Sequence, residues 1–270
     1  MSQTLFRRIE QSRIYDWTMR LPIFLYSLYV LVHDVISFSE QAAPDPATST
    51  HLGASAIVAA LARVSQWMFI ALLGLLPLAR HRPVAKSRGL VPRMTALVTV
   101  CIPPFCVLLE RAPPNLWCNL LAAAAGISAS VLGVLTLSFL GRSFSVMPEA
   151  RRLVTTGPYS IVRHPLYLFE LLGVVGILLQ VRSLPGALLL ALIVALQITR
   201  ARWEEDILDR AFPEFLAYRQ RVPFLLPRDA HGLIALLRND PVVRRRSAAV
   251  MISASGLLAV VVIALPRLVG

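Results

Sequence analysis

A chain of 270 residues that is 56% hydrophobic and 16% charged, with mean hydropathy +0.66, carries more apolar surface than a soluble domain of its size needs to bury. Its net charge of +12 is almost wholly arginine, Lys86 being the one lysine, and the arginines sit between long apolar runs. That is the pattern of charge flanking membrane spans on the cytoplasmic side, so nucleic-acid binding is set aside.

Met1 to Arg20 is polar and carries Arg7, Arg8, Arg13 and Arg20. The apolar run Pro22 to Phe38 follows this long charged lead without a small-x-small cleavage pattern, so it is expected to be a retained signal-anchor helix. His33 and Asp34 near its far end are expected at the interface. An acidic Pro/Ala/Ser/Thr loop leads to a second helix, about Ala54 to Ala79, which contains Arg63, either snorkelling or facing the bundle. A loop dense in charge (Arg80, Arg82, Lys86, Arg88, Arg93) precedes a third helix, about Met94 to Leu109, expected to kink at Pro103-Pro104. A fourth helix spans about Leu116 to Leu140. Cys101, Cys106 and Cys118 lie in or beside these runs without CxxC spacing and read as small apolar residues, neither metal ligands nor a disulfide framework.

A polar, arginine-rich segment from Gly141 to Arg163 follows, and then two short apolar runs, Leu166 to Val181 and Leu184 to Thr199, joined by Arg182-Ser183. This is a helical hairpin in which each arm is short of the roughly twenty residues usual for a span. Arg200 to Arg246 is again polar and basic, and Ala248 to Leu265 is a last apolar helix. The fold class is therefore all-α, an integral membrane bundle of about seven helices with a cytoplasmic N-terminus. In that topology every Lys and Arg outside helix two falls inside except Arg111, Arg182 and Arg267. Three units are expected: residues 1–140 with helices one to four, residues 141–227 as a core, and residues 228–270 with the basic linker and final helix.

Both polar segments then share the cytoplasmic face. Gly157-Pro158 makes a turn, because glycine permits positive φ and proline fixes its own. Pro165 suits the first position of a helix, leaving His164 near the cap, Arg163 beside free N–H groups that favour an anion, and Tyr167 with its hydroxyl toward the interface. In the second segment Arg202-Trp203-Glu204-Glu205-Asp206 and the apolar residues up to Tyr218 have helical spacing, interrupted at Pro213. Adjacent Glu204 and Glu205 are expected on different faces, one inward and the other solvated. Arg221-Val222-Pro223 closes the segment.

In order and spacing, Leu153 to Tyr159 with its Gly-Pro-Tyr, Arg163-His164-Pro165-Leu166-Tyr167, the apolar hairpin, Glu204-Glu205, and Phe212 to Tyr218 with Arg221-Val222-Pro223 together resemble the isoprenylcysteine carboxyl methyltransferase family. That family is related to the membrane phospholipid methyltransferases. The resemblance covers about Gly141 to Pro227; it departs from the family at Ser160, where a basic residue is common, and at Pro213, where glycine is frequent. It implies an S-adenosylmethionine-dependent methyltransferase with no soluble nucleotide-binding domain and no metal, taking a membrane lipid or lipid-like acceptor from the bilayer. By motif, Tyr159, Arg163, His164, Tyr167, Glu204, Glu205 and Tyr218 would bind the cofactor. Within that set, Arg163 or His164 would hold its carboxylate and Glu204 or Glu205 its ribose hydroxyls or amino group. Arg221 would orient an acceptor carboxylate, with Glu204 as its companion in catalysis. Carboxyl O-methylation is favoured and N-methylation of a phospholipid is compatible. A nicotinamide-dependent membrane lipid reductase and a non-enzymatic membrane protein are the competing readings. The site would face the cytoplasm from a multi-pass position, in the inner membrane if the source is bacterial.

Overall fold

Apolar blocks of this length become helices because only a helix satisfies its own backbone away from water. The computed structural model describes residues 17–18, 20–42, 54–87, 89–103, 106, 109–110, 112–113, 115–228, 239–250 and 252–253, which are mostly helical. The principal helices are α1 (Leu21–Ala42), α2 (Ala54–Leu75), α3 (Val91–Cys101), α4 (Leu116–Leu140), α5 (Pro165–Val181), α6 (Leu184–Ala211) and α7 (Phe215–Arg221). Among the described residues three are long and apolar enough to cross a membrane: Leu21–Phe38, Leu116–Ser143 and Leu184–Ala211.

The expected seven spans are thus not all found at spanning length. The third run stops at Cys101, so the anticipated kinked helix to Leu109 is a short helix that ends. Its eleven residues rise only about 16 Å. The helix ends just before Pro103-Pro104, where a proline lacks the N–H that would continue the ladder. Likewise the second run leaves the helix after Leu75, and Leu76 to Ala79 form turns around Pro77. Most of the expected Ala248–Leu265 helix lies outside the described residues.

Other elements match their sequence logic. Asn115 caps α4 by accepting from the Cys118 N–H at 3.1 Å, and Ser183 caps α6 by accepting from the Gly186 N–H at 3.2 Å. Arg182 closes α5 in the left-handed region (φ 45°) and makes the hairpin corner. The α6 helix does not stop at the membrane surface; it runs on as one rod to Ala211, where Pro213 ends it.

Packing follows small residues. Helices α4 and α5 lie against each other along a seam in which a Cβ on Gly176 would sit 3.1 Å from the Ala122 carbonyl oxygen and 3.2 Å from the Ala125 methyl. Close approach of this kind supplies dispersion contact where lipid removes the usual hydrophobic driving force. Helices α1 and α2 are joined inside the apolar zone by polar groups. Asp34 accepts from the Trp67 indole at 2.6 Å and pairs with Arg63 at 3.3 Å, so both the interfacial reading of Asp34 and the snorkelling reading of Arg63 give way to a contact between helices.

The polar loops are also folded together. Ala85–Lys86 (β1) pairs antiparallel with Glu149–Ala150 (β2), Ala85 opposite Ala150 and Lys86 opposite Glu149. Beside this short ladder Glu149 takes Arg151 at 2.6 Å and Arg80 at 3.6 Å, all three side chains buried. The floor of the 141–163 segment is therefore supplied partly by the loop between the second and third helices.

Candidate active site

The site begins with the turn Gly157–Ser160, a single 3-10 turn in which Gly157 has φ 64°. A side chain there is excluded twice: the dihedral is strained for an L-residue, and a Cβ would fall 2.4 Å from the Phe139 ring. The turn delivers the chain to Pro165 at the first position of α5, with His164 as its cap residue (φ −124°, ψ 59°).

From this corner the two polar segments meet. The Arg163 N–H donates to the Pro223 carbonyl at 2.9 Å, and the His164 N–H to the Phe224 carbonyl at 3.2 Å. The Arg163 guanidinium donates to Glu205 at 2.6 Å through Nε and to the carbonyls of Arg219 and Val222, each at 2.7 Å, through Nη1. Glu205 also meets His164 Nε2 at 3.0 Å. The imidazole lies parallel to the Tyr167 ring (centroids 5.4 Å apart, 2° between planes) and edge-on to Phe224. Arg163 and Glu205 thus latch the two walls together, and Glu205 is buried in an ion pair.

One helical turn further in, the Tyr167 hydroxyl donates to Glu204 at 2.6 Å. This hydroxyl was expected toward the interface; instead Tyr167 is buried, because α6 continues past the membrane edge and covers it. Both glutamates therefore face the meeting line of the walls, Glu205 on its outer side and Glu204 on its inner side.

One turn deeper along α6 than Glu204 sits Arg200, which is not among the candidate site residues read from the sequence. It is 2% exposed, donates through Nη2 to the Val146 carbonyl at 3.0 Å, and holds its guanidinium 4.6 Å over the Tyr167 ring. Its Nε and Nη1 groups are buried with no hydrogen-bond partner among the described residues. Leaving charged donors unpaired in an apolar setting costs several kcal/mol, roughly 1–3 per group or more. The available signal was its place one turn before Glu204, which fits an i,i+4 surface pair equally well.

Tyr159, Arg163, His164, Tyr167, Arg200 and Glu204 line one cleft, floored by Ser143, Ser145 and Glu149. The cleft is narrow, ≈ 40 Å³. A larger groove of ≈ 260 Å³ lies between α3 and α6, but Leu90, Val91, Met94, Val98 and Leu196 make it apolar, and it holds none of the groups that could do chemistry. Tyr218 is close to the cleft without lining it: its hydroxyl donates to the Tyr159 carbonyl at 2.6 Å and braces the Gly-Pro-Tyr turn. Burial pushes the Tyr218 hydroxyl well above its ordinary pKa; the Arg163 charge opposes this, and Glu205 and Glu204 add to it. Tyr159 is raised as well, by burial first and then by the Glu204 charge, so both phenols stay neutral at working pH. Arg221 is exposed and donates to the Ala217 carbonyl of its own helix at 3.2 Å, and it is not among the lining residues. The structure does not bring it to the cleft, because its place in the last turn of α7 turns it back along that helix. Among the described residues no group of three or more His, Cys, Asp or Glu side chains is arranged to hold a metal ion.

Comparison with known proteins places these residues in context. The family model for phospholipid methyltransferase matches residues 116–214, from the start of α4 to just beyond α6. The nickel-cobalt-cadmium resistance protein NccN of Alcaligenes xylosoxydans xylosoxydans is 38% identical over 117 residues, 42% of this chain and 54% of that protein. The cobalt-zinc-cadmium resistance protein CzcN of Cupriavidus metallidurans is 40% identical over 107 residues, 38% of this chain and 49% of that protein. The chain spans about half the length of these curated relatives. No solved structure matches.

Proposed function

We propose, from the match of residues 116–214 to the family model for phospholipid methyltransferase, that the protein is a multi-pass membrane methyltransferase. It uses S-adenosylmethionine to methylate a lipid-like or isoprenoid-linked acceptor, and its cleft opens to the cytoplasm. The alternation of loop charges supports that orientation. In a bacterial cell the membrane would be the inner one.

The observation that carries the reading is Arg200, a buried cation with two unused donors, lying on the same cleft as the Glu204 carboxylate. This donor set fits the cofactor. Arg200 would take its carboxylate in a charge-assisted pair, the role first expected of Arg163, whose guanidinium is already held by Glu205 and two carbonyls. Glu204 would accept from ribose hydroxyls or the amino group, with Tyr167 fixing its orientation. When bound, the cofactor supplies an already activated methyl group, so these residues need to align, orient and exclude water, with little acid–base work toward the donor itself. Because ≈ 40 Å³ is far below the roughly 300–1,000 Å³ of ligand pockets, binding requires the walls on either side of the Arg163–Glu205 latch to part.

Isothermal titration of the purified protein with S-adenosylhomocysteine tests this. Wild type is expected to bind, with binding lost or strongly weakened in Arg200→Met and Glu204→Ala. Absence of binding to wild type, with NADPH bound in its place, would overturn the reading in favour of a reductase.

A further inference from the structure

Resting on that reading, we propose that Glu170, held by Gln197, is the group that receives the acceptor's proton, and that the acceptor presents an N–H or O–H to it rather than a preformed carboxylate. Glu170 lies on α5 three residues beyond Tyr167 and so on the same face, about 4.5 Å deeper along the helix. Opposite, Gln197, Arg200 and Glu204 stand at helical spacing on one face of α6, with Gln197 about 10 Å deeper than Glu204. The two helices therefore face each other through two polar rungs. The outer rung joins Tyr167 to Glu204 at 2.6 Å, and the inner joins Glu170 to Gln197 at 2.6 Å.

Packing alone does not ask for the inner rung, although Glu170 lies within electrostatic reach of the Arg200 charge. A carboxyl group in the apolar length of a hairpin is costly, and the leucines and valines on either side show what the position would hold if only packing mattered. Its partner is also incomplete. Gln197 is 4% exposed and spends its amide nitrogen on Glu170, while its Oε1 is buried without a hydrogen-bond partner among the described residues. A carboxylate has about four acceptor positions and a glutamine carbonyl two, so a single amide donor leaves this rung short of N–H or O–H groups. What it lacks is a hydrogen-bond donor, the converse of Arg200, which lacks an acceptor. The two deficits sit on the same face of α6, three residues apart, with the donor-poor rung on the bilayer side. A lipid-borne group arriving from the bilayer meets Glu170 and Gln197 before it reaches Arg200.

The step balances without a further reactant. The lone pair of the acceptor nitrogen or oxygen takes the methyl carbon, the carbon–sulfur bonding pair stays with the donor's sulfur as a neutral thioether, and the acceptor's proton passes to the Glu170 carboxylate. A carboxylate acceptor has no such proton and gives Glu170 nothing to receive. Gln197 is a positioning residue, fixing Glu170 through its amide and the acceptor through its carbonyl.

The test uses the full-length protein in lipid nanodiscs with tritiated S-adenosylmethionine and total lipid extract of the source organism. A parallel arm uses phosphatidylethanolamine vesicles to separate an amine from a hydroxyl acceptor. The labelled product is expected to survive mild alkali, as an N- or O-alkyl group does. Glu170→Gln keeps the hydrogen bond to position 197 and removes the base. It is expected to lower kcat by roughly 10²–10⁴-fold, with affinity for S-adenosylhomocysteine and acceptor KM unchanged. Gln197→Met, which keeps the volume, is expected to raise acceptor KM with the cofactor affinity again unchanged. An alkali-labile methyl ester, wild-type kcat in Glu170→Gln, or loss of S-adenosylhomocysteine binding in Glu170→Gln would each overturn the proposal and leave the methyltransferase reading standing. Failure of wild type to bind S-adenosylhomocysteine would remove both.

Discussion

Arg163 and Glu205, forty-two positions apart, meet at 2.6 Å, and each side chain is 11% exposed. The pair is the point at which the segment before α5 is fastened to the segment after α6, with His164 adding a second contact to the same carboxylate. A buried pair of this sort is worth little against an apolar substitute, but removing one member strands the other.

Arg163→Ala is accordingly expected to destabilise the folded protein by about 3–5 kcal/mol, since Glu205 is left buried with only His164 beside it and the Arg219 and Val222 carbonyls lose their donor. Thermal unfolding in detergent measures the loss. Glu205→Gln, which keeps a hydrogen-bonding group of the same size, is expected to cost less than Arg163→Ala.

At Arg200 the expectation concerns affinity. Its unpaired Nε and Nη1 are free to take an anionic group, and charge-assisted hydrogen bonds contribute about 1.5–3 kcal/mol each. Arg200→Met should therefore weaken S-adenosylhomocysteine binding by at least roughly tenfold, since 1.4 kcal/mol is a factor of ten. Arg200→Lys should restore only part of it, for lack of the planar fork. Equal affinity in wild type and Arg200→Met would remove this arginine from the cleft's function.

Gly157→Ala combines a left-handed dihedral, costing about 1–2 kcal/mol, with a Cβ pressed 2.4 Å from the Phe139 ring. Phe139→Leu made together with Gly157→Ala should recover the steric part and leave the dihedral part. Chemical denaturation of the three variants separates the two contributions; strict additivity of the single changes would contradict the contact.

The phenols at 159 and 218 give the protein an alkaline limit. Both folded values lie above the ordinary tyrosine pKa of about 10, chiefly through burial, so their contribution is complete below that value and is lost as pH rises toward the folded ones. Over that window each phenol removes stability at about 1.4 kcal/mol per pH unit. Tyr218→Phe should lower stability at pH 7 by about 1 kcal/mol, through the missing bond to the Tyr159 carbonyl, and should flatten the decline above pH 10. An unchanged slope would place the alkaline sensitivity elsewhere.

What could be read from the chain was what short-range chemistry decides. Gly157, Pro158 and Pro165 declare a turn and a helix start wherever they occur, and the structure has both. The contacts that the sequence concealed are those made by long side chains across the fold. Arg80 reads as one more loop charge until Glu149, sixty-nine positions later, is found 3.6 Å from it. Arg200 reads as half of a surface pair with Glu204 until α6 is seen to run on as a single helix and place it against Val146 and Tyr167. Tyr167 reads as interfacial from its place two residues into its helix, and only the fold shows Arg200 and Glu204 of α6 lying against it. Pro103-Pro104 was legible as an interruption, and the error was to expect a kink where the helix stops.

The small ladder between Ala85–Lys86 and Glu149–Ala150 lies outside the catalytic chemistry, yet it limits how the chain can be cut. A recombinant fragment starting at residue 116 would carry every side chain of the cleft and still lack β1 and Arg80, which hold Glu149 in the cleft floor. Co-expressing residues 1–115 as a separate polypeptide should restore what such an excised fragment loses, in the way that split proteins recover function when their halves reassemble.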